Sequence, residues 1–138
     1  EKTAKTYGNA TFEAYKKLKG RNVPILTIEN PPAGMGLSTG EDVKNVVLNS
    51  RKVFVDKAVS EGMNKKQAEK EAEKLIGATW DVGHINMLRK YGYEKKDLLK
   101  QAKTAFNLMT KNMQWRTLMR HYEKWYHKTS FHAHIPAA

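Results

Sequence analysis

Two short apolar runs constrain this chain more than any other feature. Val23-Pro24-Ile25-Leu26-Thr27-Ile28 is bounded by Asn22 and by Asn30-Pro31-Pro32, and Ala78-Thr79-Trp80-Asp81-Val82 follows directly on Gly77. Each is too short for a stable helix, and the first is rich in branched residues, which is the signature of a strand. Apolar side chains on both faces of the first run predict a buried parallel strand. Strands that alternate with amphipathic helices imply right-handed parallel crossovers, and therefore an α/β sheet or barrel.

The segments around these runs have helical period. Phe12, Tyr15 and Leu18 define a short helix over Ala10 to Lys19, closed by Gly20 as a left-handed cap. After the first strand, Pro31-Pro32 and the glycines at 34 and 36 force an irregular loop, because neither proline can donate to a ladder. Ser38 and Glu41 have capping-box spacing and open a helix carrying Val43, Val46, Val47, Val53, Phe54 and Ala58. Gly62 stops it, and Asn64 with Gln67 caps the next. From Lys65 to Ile76 the inward set is Ala68, Ala72, Leu75 and Ile76, while Lys66–Glu69, Lys70–Glu73 and Glu71–Lys74 pair on the wet side. Gly77 closes this helix and leads at once into the second strand. A short turn over Ile85 to Tyr91 ends at Gly92, and Glu94 to Met109 places Leu98, Leu99, Ala102, Ala105, Phe106 and Met109 on one face.

Composition narrows the chemistry. The 138 residues hold no cysteine, so a metal site here must use carboxylates and imidazoles. No apolar run reaches the roughly 18 residues of a membrane span, and residues 1–20 lack the apolar middle of a secretory signal, so a cytoplasmic location is expected. The chain opens on Glu1, the expectation being a processed protein or a piece of a longer one. A formal charge of +11 favours phosphorylated or nucleic acid partners. Much of the lysine nevertheless lies on helices that also carry glutamate, and reads as solvated surface. From 110 to 138 the pattern changes: Trp115, Tyr122, Trp125, Tyr126 and Phe131 interleave with Arg116, Arg120, Lys124 and Lys128. This stretch reads as a basic, aromatic helix and tail, either covering an exposed sheet edge or docking on nucleic acid or a membrane surface.

The candidate chemistry lies at the strand ends. Successive strand side chains alternate faces, so Ile25, Thr27 and Glu29 share one side, as do Thr79 and Asp81 on the second strand. Both acids then sit at the carboxyl ends of their strands. His84, three residues past Asp81, returns to the same side if Gly83 makes a turn. Two carboxylates and an imidazole brought together repel and desolvate one another unless a divalent cation compensates, and oxygen plus nitrogen donors suit manganese, zinc or a similar ion. The same residues also fit a plainer arrangement, in which Asp81 caps the following turn, His84 packs locally and Glu29 is a solvated strand-end acid.

Leu26-Thr27-Ile28-Glu29-Asn30-Pro31-Pro32 and Ile76-Gly77-Ala78-Thr79-Trp80-Asp81-Val82-Gly83-His84-Ile85-Asn86 resemble two consecutive strand motifs of the xylose-isomerase-like TIM barrels. That superfamily includes sugar-phosphate isomerases and epimerases and the endonuclease IV type of abasic-site nuclease. The resemblance spans roughly residues 10 to 106. It implies a partial (β/α)8 TIM-barrel segment over 1–109, with parallel strands and amphipathic helices, followed by a mainly helical tail over 110–138. Glu29 and Asp81 are then metal ligands, Glu29 also a candidate catalytic base, and His84 a metal or substrate contact, with Asn86 near the substrate. A full barrel takes about 250 residues and eight strands. His132-Ala133-His134 resembles part of the family's next ligand motif, but no aspartate follows it.

The function this implies is a fragment or reduced form of a metal-dependent sugar or sugar-phosphate isomerase or epimerase. Self-association or a partner chain would complete the barrel. An endonuclease IV-like abasic-site nuclease and a non-enzymatic module binding nucleic acid or a membrane surface are the alternatives.

Overall fold

A computed structural model describes residues 2–81, 83–84, 87–94 and 96–100. The order is α1 (Lys2–Lys17), β1 (Leu26–Glu29), α2 (Gly40–Ser60), α3 (Lys65–Leu75), β2 (Ile76–Thr79) and a 3-10 turn over Met87–Tyr91. Residues 96–100 are helical. The fold is α/β and mostly helical. Its two strands pair in parallel, with Leu26 opposite Ile76 and Glu29 opposite Thr79. The expectations for Asn86, His132, His134 and the 110–138 tail lie outside the described residues.

The core lies between the helices and one face of this sheet. Phe54 of α2 is its centre: fully buried, it takes the edges of Phe12 and Tyr15 at ring distances of 5.5 and 5.7 Å. Val43, Val47, Ala68, Ala72, Leu75, Ile76 and Ile28 complete the apolar layer. The other face of β1 is open, since Thr27 and Glu29 are exposed and Ile25, just before the strand, is 41% exposed. The expected burial of both faces is therefore corrected to one. Parallel strands are usually covered on both sides, so an exposed face here is a distinctive feature of the described residues.

Several boundaries also differ from expectation, each for a local reason. Helix α1 starts at Lys2, well before Ala10, because its packing stripe includes the small residues Ala4, Gly8 and Thr11, which carry little hydrophobic signal. Leu18, expected inside, falls beyond the last turn and is 42% exposed. Gly20 does take the left-handed conformation, at φ +71°, and donates to the Tyr15 carbonyl at 2.9 Å. The cap of α2 is Thr39 with Asp42, one residue later than Ser38 with Glu41. Thr39 has the extended backbone of an N-cap, its hydroxyl accepts from the Asp42 N–H, and the Asp42 carboxylate accepts from the Thr39 N–H.

Helix α3 passes into β2 with no intervening loop. Gly77 does not close the helix. It is a buried strand residue opposite Thr27, and the change of conformation falls at Ile76, which is already extended while its N–H still donates to Ala72. Arg51 of α2 ties this junction down by donating from Nε to the Ile76 carbonyl at 2.9 Å. Burial pushes the Arg51 pKa down, and the nearby Glu73 carboxylate counters that. Glu73 thus faces an arginine of α2 as well as the solvent side of its own helix, where Glu71–Lys74 forms an ion pair at 3.7 Å. Near the chain's described end, Leu98 is buried, whereas Leu99, expected on the same inward face, is 40% exposed.

Candidate metal centre at the strand ends

The site is assembled by the parallel pairing of β1 and β2. Glu29 is the last residue of β1 and stands opposite Thr79, so Asp81 lies two residues past the end of the paired ladder. Between them Asn30 acts as an additional rung. Its side-chain amide donates to the Asp81 carbonyl at 3.0 Å and accepts from the Asp81 N–H at 2.7 Å. A primary amide presents a donor and an acceptor side by side, which is what a strand residue offers its neighbour. The sheet geometry therefore continues beyond Thr79 through a side chain. Asn30 is fully buried, and each of its hydrogen bonds contributes about 0.5–1.5 kcal/mol.

Asp81 then turns the chain. Its Oδ1 accepts from the N–H groups of Gly83 and His84 at 2.7 and 3.2 Å, capping a short helical turn. The return of His84 comes from this capped turn. A Cβ built at 83 would lie 3.1 Å from Asp81 Oδ1, a tight contact that a shift of the carboxylate by a few tenths of an ångström would relieve. Asp81 Oδ2 is left facing the imidazole, 3.6 Å from His84 Nδ1. The capping role and the clustering of Asp81 with His84 thus coexist, one on each carboxylate oxygen.

His84 is oriented by the backbone of β1's end. Nδ1 lies 2.8 Å from the Asn30 carbonyl oxygen. A carbonyl only accepts, so Nδ1 carries the proton and Nε2 the lone pair. Glu29, Asp81 and His84 each offer a ligand atom within 4.8 Å of the others. Glu29 is exposed, while the other two are half-buried. The three residues proposed as ligands from sequence are therefore brought together.

Asn30 is the residue that sequence reasoning passed over, since it was read only as a boundary before Pro31-Pro32. The signal that points to it is its position directly after a strand-end acid, where a short amide side chain can mimic one more rung. Trp80 is buried, its Nε1 without a hydrogen-bond partner among the described residues. No family model, curated protein or solved structure matches the chain. No described helix is long and apolar enough to cross a membrane.

Proposed function

We propose that Glu29, Asp81 and His84 hold a divalent cation, manganese, zinc or a similar ion, and that the chain serves isomerisation or epimerisation of a sugar or sugar phosphate. One observation carries this reading. Two carboxylates and an imidazole, with ligand atoms within 4.8 Å, converge just past the carboxyl ends of paired parallel strands. Barrel enzymes build their sites at that end. In this reading β1 and β2 are neighbouring strands of a partial (β/α)8 barrel over 1–109. A second copy or a partner chain supplies the further strands that complete the barrel.

The donor set fits such an ion, because carboxylate oxygen and neutral imidazole nitrogen suit manganese and zinc. A bound cation supplies Lewis-acid polarisation of substrate oxygens. Glu29, exposed at the strand end, serves in this reading as the general base that moves a proton between adjacent substrate carbons. Asp81 contributes a fixed negative oxygen, and His84, with Asn86 beyond it, contacts cation or substrate.

The formal charge of +11 favours one other reading, an abasic-site nuclease built on the same strand ends, since phosphate backbones are drawn to such a surface. Titration with Mn²⁺ and Zn²⁺, followed by assays on a ketose and sugar-phosphate panel and on an abasic-site duplex, separates the two. Metal-dependent sugar turnover is the expected result. Duplex cleavage without sugar turnover overturns the isomerase reading, and failure of either ion to bind overturns the metal centre itself.

A further inference from the structure

We infer that Asn30 is the positioning residue of this centre, setting Asp81 through its side chain and His84 through its backbone carbonyl. The inference rests on the cation reading above. Three contacts converge on this one buried residue. The amide pairs in both directions with the Asp81 backbone at 2.7 and 3.0 Å, and the carbonyl oxygen takes the Nδ1–H of His84 at 2.8 Å. Glu29 precedes it in the chain and ends β1. All three candidate ligands are thus registered to a single residue that is not itself a ligand. Asp81 lies past the last paired position, Thr79, so among the described residues the Asn30 rung is what keeps the two strands aligned at the depth of the site.

The ring contact has a chemical consequence. Holding the proton on Nδ1 directs the lone pair of neutral His84 to Nε2, and outer-sphere contacts of this kind orient ligating histidines and strengthen metal binding. Removing the amide releases the Asp81 backbone, while the backbone carbonyl that takes the His84 Nδ1–H remains in every side-chain variant. Both hydrogen bonds of the amide to Asp81 are lost together, so the effect is larger than that of losing one buried hydrogen bond.

The test uses the 138-residue chain and Mn²⁺ as probe, with affinity read by electron paramagnetic resonance and the His84 tautomer by nitrogen-detected NMR in metal-free protein. Asn30→Ala and Asn30→Asp are each expected to weaken Mn²⁺ binding about 10–100-fold. Ser50→Ala removes a comparably buried group whose hydroxyl, among the described residues, bonds only the Val46 carbonyl within its own helix, and it leaves Mn²⁺ affinity unchanged. Asn30→Asp discriminates, since a role by charge or direct ligation makes it bind as tightly as wild type or tighter, and that result overturns the inference. Asn30→Asp also serves if Asn30→Ala does not fold. Wild-type chain that binds neither Mn²⁺ nor Zn²⁺ overturns the cation reading. The tautomer measurement tests Asn30 separately. The ring is expected with its proton on Nδ1 in wild type and in both variants, since the carbonyl that accepts it belongs to the backbone. A wild-type ring protonated on Nε2 overturns the role assigned to the Asn30 carbonyl, and variants that bind Mn²⁺ as tightly as wild type overturn the role assigned to its amide.

Discussion

Gly8 of α1 lies against Val53 of α2 so closely that a Cβ built on the glycine would fall 2.6 Å from the Val53 Cβ and 2.5 Å from the Ser50 carbonyl oxygen. Only a hydrogen fits there. The stripe of small residues on α1 thus brings the two helices close enough for Phe12 and Tyr15 to reach Phe54.

Gly8→Ala is accordingly expected to destabilise the fold. Overpacking against a backbone oxygen and a β-branched residue costs about 1–3 kcal/mol, whereas alanine gains up to roughly 1 kcal/mol of helix propensity over glycine. The packing loss wins. Urea denaturation at equilibrium measures it, and a variant as stable as wild type contradicts the close approach.

The cap of α2 separates two sequence patterns that overlap by one residue. Thr39→Ala removes the hydroxyl that satisfies the Asp42 N–H and is expected to cost about 1 kcal/mol. Ser38→Ala, just outside the helix, should change stability by no more than about 0.5 kcal/mol. The reverse order in denaturant midpoints would place the cap at Ser38.

Asp81→Asn separates folding from metal binding. Asparagine retains an Oδ1 that accepts from Gly83 and His84, and Asn and Asp are nearly equal as caps, so stability is expected to stay within about 0.5 kcal/mol. Removing the charge of a direct ligand should nevertheless lower Mn²⁺ affinity by about 100-fold or more, beyond the loss of an outer-sphere partner. Calorimetric titration beside a melting curve checks both. Unchanged affinity removes Asp81 from the ligand set.

Lys16 supplies a pH dependence with a definite sign. A hydrogen bond to Glu61, with Oε2 at 2.7 Å, and the charge of that carboxylate hold the lysine above its ordinary value of 10.5. The folded-state value is raised, so the stability Lys16 contributes is fully present below 10.5 and is lost as pH rises through the folded value. Lys16→Met should therefore be less stable than wild type at neutral pH, and the difference should shrink at strongly alkaline pH and in high salt. A constant difference across that range assigns the effect to packing of the aliphatic stem.

Much of this arrangement was legible in the residues. Gly20 and Gly62 mark helix ends because few other residues adopt positive φ, and Ala68, Ala72, Leu75 and Ile76 define a buried stripe by spacing alone. Boundaries were harder where two signals compete. Ser38 and Thr39 each have an acid three residues on, and Gly77 is equally a helix stop or a strand residue. What decides between them is which backbone is extended, at Thr39 and at Ile76, and that depends on packing against the rest of the fold.

The amino-acid sequence by itself determined the order of the described elements, the parallel pairing implied by that order, and the placement of Glu29 at the end of its strand, since all three follow from local periodicity and alternation. Only the tertiary structure decided that β1 is covered on one face, that Asp81 both caps a turn and faces His84, and that Asn30 joins the two strands beyond their ladder. The Asn30 contacts join residues 51 and 54 positions apart, and no local pattern encodes the register that brings such residues together.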